Sequence, residues 1–125
     1  MTLIHRALTA LTHAKKSWRW LTGMLMLIVC WFAFAPSANV PTAFWDKTNH
    51  ALAFAALSFS ARFAFPRHFW PSMFALAAFG LAIEAVQFFL PSRNSEWFDL
   101  LADVIGIALG AAMAAVVQRT EARTA

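Results

Sequence analysis

At 125 residues the chain is long enough for one domain, and its 61% apolar content, mean hydropathy of +0.60 and 13% charged residues exclude an ordinary soluble one. A net charge of +4 does not indicate a nucleic-acid partner, because the basic residues stand at the ends of apolar segments and form no patch interleaved with aromatics. Thirteen Phe and six Trp suit a lipid-facing surface with interfacial anchors, and the single cysteine, Cys30, allows no internal disulfide and reads as a buried thiol.

In chain order, residues 1–17 form a basic segment in which Leu3, Ile4, Ala7, Leu8, Leu11 and Ala14 alternate with polar positions. That pattern predicts a short amphipathic helix on a membrane surface, with a frayed basic tail as the plainer alternative. Trp18, Arg19 and Trp20 anchor the first span, residues 18–35, about 27 Å of helix. A cleavable signal peptide is the rival reading, but Pro36 directly after Ala35, the long polar start and the flanking tryptophans argue against cleavage. The second span covers residues 47–65, opened by Asp46, Lys47 and His50, with Arg62 in its last turn placed to snorkel outward. Pro66 to Pro71 makes a turn, residues 72–90 make the third span, and residues 98–117 the fourth. Gly106-xxx-Gly110-xxx-Ala114 in the fourth span lets a neighbouring helix approach closely, in the same bundle or in a second copy, so the oligomeric state stays open. Residues 118–125 read as a loose polar tail.

Eight of the ten Lys and Arg then fall on one side of the membrane, leaving Lys47 and Arg93 on the other. The positive-inside rule places both termini in the cytoplasm. The expected fold is all-α, a four-transmembrane-helix bundle.

This topology gathers scattered polar residues. Asp46, Lys47 and His50, then Glu84 and Gln87 about 9 Å below the end of the third span, then Arg93, Asp99 and Asp103 all lie toward the outer side. A charge facing lipid costs a few kcal/mol or more, so these groups should converge inside the bundle. Each also has a plainer reading. Asp46 can simply cap a helix or pair with His50 one turn on, Arg93 can anchor at headgroup level, and Glu84 can fix helix packing. Glu96 reads as a solvated loop charge, and Arg62, Arg67 and His68 as topology determinants.

Asp46-Lys47-x-x-His50 opening a span, Glu84-x-x-Gln87 late in the next, then Arg93, Asp99 and Gly106-xxx-Gly110 together resemble the VanZ-like family of small bacterial membrane proteins over about residues 20–117. The resemblance implies an integral membrane protein of the cell envelope, in a family named for a member linked to glycopeptide (teicoplanin) resistance. One departure is Asp103, where the family usually carries asparagine; the added carboxylate must be offset by Arg93, Lys47, a proton or a cation.

Two functions fit. In the first, the chain acts on an envelope lipid or lipid-linked glycan: His50 is the general acid or base, oriented by Asp46, and Glu84 and Asp99 are further acid–base candidates. Lys47, Gln87, Arg93 and Asp103 then bind substrate. In the second, the same groups bind a lipid headgroup or cell-wall precursor without turnover. No cofactor is expected. A metal is an option within the enzyme reading, where His50, Glu84, Asp99 and Asp103 would suit a magnesium- or manganese-like ion better than a closed zinc site.

Overall fold

The computed structural model describes residues 2–36, 44–91 and 96–124, with Phe44, Trp45, Asp46 and Thr124 described through the backbone alone. These residues form five helices: α1 (Leu3–His13), α2 (Lys15–Phe34), α3 (Phe44–Ala64), α4 (Phe69–Phe88) and α5 (Trp97–Thr124). Three of them, α2, α4 and most of α5, are long and apolar enough to cross a membrane. Much of their apolar surface points away from the bundle, as at Leu27 and Trp31 of α2, Phe74 of α4, and Leu109 and Val116 of α5. A soluble domain would bury such faces; a lipid-embedded one need not.

α3 is different. A larger share of its residues is polar than in the other long helices, and it is the central helix, packed most extensively on α5 and then on α2. Phe54, Leu57, Ala61 and Ala64 are buried along it, together with Ser58 and Ser60. A stripe of small residues explains the closeness to α5. A Cβ at Gly106 would land on the Ala51 carbonyl, and one at Gly110 on the Ala55 carbonyl. The α5 glycines therefore serve packing within one bundle, against an Ala-xxx-Ala stripe on α3. The register is parallel, since Ala51 meets Gly106, Ala55 meets Gly110 and Arg62 meets Gln118 further along. Ser58 Oγ reinforces it by donating to the Ile107 carbonyl at 2.7 Å. α2 runs antiparallel to α3, with Thr22 donating to Ser60 (2.9 Å) and Arg19 Nε to the Ala64 carbonyl (3.2 Å).

Element ends depart from expectation in informative ways. α2 starts at Lys15, three residues before its tryptophan anchor, and breaks from α1 at Ala14, whose ψ of 54° is not helical. α5 continues to Thr124 instead of giving way to a loose tail. The extension has partners: Arg62 donates to Gln118 at 3.0 Å, and Thr12 of α1 donates to Glu121 at 2.5 Å. α1 thus docks on α5 through polar groups, with His5 also buried, while Leu3, Ile4 and Leu11 stay exposed on its apolar face. Thr2 caps its start by accepting from the His5 amide. Arg62 does not snorkel freely, because its guanidinium also sits 4.8 Å above the Phe69 ring. Cys30 is half-buried, not buried, because α2 is an edge helix.

Candidate functional site

Three helices each bring one ionisable side chain to a common point. Lys47, His50, Ala51 and Phe54 recur at helical spacing along α3, which turns His50 inward on the face that packs against α5. On α4, Gly80, Glu84 and Gln87 lie along one stripe, and on α5 Asp99, Asp103, Gly106 and Gly110 do the same. The same α3–α5 contact that needs glycine two turns below sets Asp103 opposite His50. His50 Nδ1 and Asp103 Oδ1 are 2.8 Å apart, with the Asp103 side chain fully buried and that of His50 12% exposed. Glu84, 7% exposed, completes the group: one donor atom from each of His50, Glu84 and Asp103 lies within 4.8 Å of the others.

Room for the Asp103 carboxylate is made by an absent side chain. A Cβ on Gly80 would stand 2.7 Å from Asp103 Oδ2 and 3.3 Å from the Phe54 ring. Oδ2 itself is buried and has no hydrogen-bond partner among the described residues. Two carboxylates and an imidazole are buried together here in apolar surroundings, where a charge is expensive unless it is paired.

The remaining expected residues divide. Asp99 is buried in the first turn of α5, one turn from Asp103, where the positive end of the helix dipole favours a carboxylate. It lies outside the three-residue cluster. Gln87 is buried and donates Nε2 to the Ala33 carbonyl at 2.9 Å. α2 ends at Phe34, so that carbonyl has lost its helical donor, and the amide supplies one while tying α4 to α2. Lys47 is half-exposed one turn from His50, 2.7 Å from Glu96 and 5.7 Å from the centre of the Phe98 ring. Glu96 is thus an ion-pair partner as well as a solvated charge. Arg93 and the Asp46 side chain lie outside the described residues.

Among the described residues the carboxylate on His50 Nδ1 is Asp103, fifty-three residues away; Asp46, which sequence spacing nominated one turn away, has its side chain outside them. No local signal could have found this pair, which depends on the lateral register of α3 against α5. Gly80 was legible as part of a small stripe, but its role beside Asp103 was not.

A cleft of about 330 Å³ lies elsewhere, between α2, α3 and α4 at the opposite end, with apolar walls that include Met26, Phe65 and Leu76. It contains none of the predicted site residues.

The family model described as VanZ/LLP1 matches residues 14–118, from the start of α2 to the last turns of α5. No curated protein and no solved structure matches the chain.

Proposed function

Since the chain belongs to the VanZ/LLP1 family, we propose that it is a four-span protein of the bacterial inner membrane that acts on an envelope lipid or lipid-linked glycan by acid–base chemistry. Three apolar helices support the membrane setting. The parallel register of α3 with α5 supports a fourth span, since a helix matched to a spanning neighbour from Ala51–Gly106 to Arg62–Gln118 shares its depth. The surplus of Lys and Arg toward the opposite end then favours cytoplasmic termini and a site facing outward.

The single observation that carries the chemistry is the buried His50–Asp103 pair at 2.8 Å beside Glu84. A carboxylate on Nδ1 fixes the imidazole's orientation and tautomer and stabilises it when it takes up a proton. Nε2 is then the nitrogen through which a proton passes. Glu84 is the second acid–base group, and Lys47, with Glu96 and Phe98 beside it, stands at the approach to hold an anionic headgroup. Of the described serines, Ser58 and Ser60 are buried and donate to the Ile107 and Leu57 carbonyls, and Ser17 and Ser72 belong to the opposite end, so water is taken as the nucleophile.

Lipid mass spectrometry on cells expressing wild type or His50→Gln at matched levels tests this reading. A lipid or lipid-linked glycan that changes in abundance with wild type alone supports turnover and names the substrate class. An unchanged profile, with the same lipid co-purifying with both proteins, replaces turnover with binding.

A further inference from the structure

We propose that His50, Glu84 and Asp103 bind one divalent cation of the Mn²⁺ or Zn²⁺ class. Three observations converge on it. The donor set comes from three different helices and lies within 4.8 Å, a span that small side-chain rotations close around one ion. Asp103 Oδ2, on a fully buried side chain, has no hydrogen-bond partner among the described residues, although a buried carboxylate oxygen ordinarily has one. Gly80 lets the Asp103 carboxylate lie against α4, the helix that carries Glu84, where a Cβ would stand 2.7 Å from Oδ2.

The chemistry of the donors selects the ion. One imidazole with two carboxylates and no thiolate suits a first-row divalent cation, and it is poor for Ca²⁺ or Mg²⁺, which favour all-oxygen shells. Three protein ligands leave positions open for water or a phosphate oxygen, the pattern of catalytic sites and not of closed structural ones. Binding of the ion follows from the cluster alone; its use in gripping a headgroup or activating water rests on the lipid reading above, with the bound ion taking over the activation of water from His50 and Glu84.

The test uses the full chain without a histidine tag, in lipid nanodiscs, titrated with Mn²⁺ and followed by electron paramagnetic resonance. One ion per chain is expected, with electron spin-echo modulation from a single imidazole nitrogen and displacement by Zn²⁺. Glu84→Gln and Asp103→Asn, which keep side-chain volume, should weaken binding roughly 10- to 100-fold or more. His50→Gln should remove the nitrogen coupling. Nitrogen coupling that persists in His50→Gln places the ion elsewhere, on His5, His13 or His68, and overturns the proposal. So does Mn²⁺ affinity unchanged in both carboxylate variants while their helical content and monodispersity match wild type. If wild type binds no ion while the lipid change still depends on His50, the cation falls and the lipid reading stands. Nitrogen-coupled Mn²⁺ with no lipid change in cells sinks the lipid reading and leaves the cation in place.

Discussion

The two ends of the helix bundle both bury polar groups, and they do so for different purposes. At the end holding the C-termini of α3 and α5, two arginines are met by neutral groups. Arg19 donates to the Ala64 carbonyl at the end of α3 and lies 5.2 Å from the Phe65 ring centre. Arg62 donates to the Gln118 amide and covers Phe69. Thr22 and Ser60 hydrogen-bond to each other. These contacts satisfy orphan carbonyls and place cations where they stabilise helix ends. At the other end, an imidazole and two carboxylates from three helices face one another, with His50 paired to the buried Asp103. Packing alone needs only the first arrangement. Ionisable groups set against each other in apolar surroundings cost stability, and such a cost is kept where protons or ions are handled.

The contrast breaks most completely if the α3–α5 seam is forced apart. Gly106→Val would drive a branched side chain into the Ala51 backbone, one helical turn from His50 and Asp103. A loss of about 3 kcal/mol or more is expected, read as a drop in thermal unfolding temperature in detergent, with loss of the lipid change as well. Survival of both would mean that the two helices can separate without disturbing the site.

Arg62→Met sharpens the comparison from the opposite end. It removes a charged hydrogen bond and a cation–π contact while keeping the stem, so about 1–2 kcal/mol of stability should go. The lipid change and Mn²⁺ binding should be unaltered; if either is lost, the opposite end contributes more than packing.

Smallest of all should be the stability effect of Lys47→Ala, because its ion pair with Glu96 is about half-exposed on both sides. Such pairs are worth about 0.2–1 kcal/mol and weaken with salt. The variant should melt with wild type yet retain less co-purifying anionic lipid. Equal lipid retention would remove Lys47 from the headgroup's path.

Much was legible without coordinates. Polar residues at helical spacing inside apolar runs could only point into a bundle, since lipid offers no partner to Glu84 or Asp103, and Gly106-xxx-Gly110 announced a close helix contact. The all-helical, membrane-type architecture followed from composition and segment length. What spacing along the chain could not contain was lateral register. Which helix the glycines meet, which carboxylate holds His50, that Gln87 closes the end of α2 and that Gly80 yields its volume to Asp103 are all relations between helices far apart in sequence. A helix specifies the face on which a residue lies through its own periodicity, but the partner on that face depends on how several helices slide and rotate to bury their small stripes together. Only the packed bundle sets that, and with it the grouping of His50, Glu84 and Asp103.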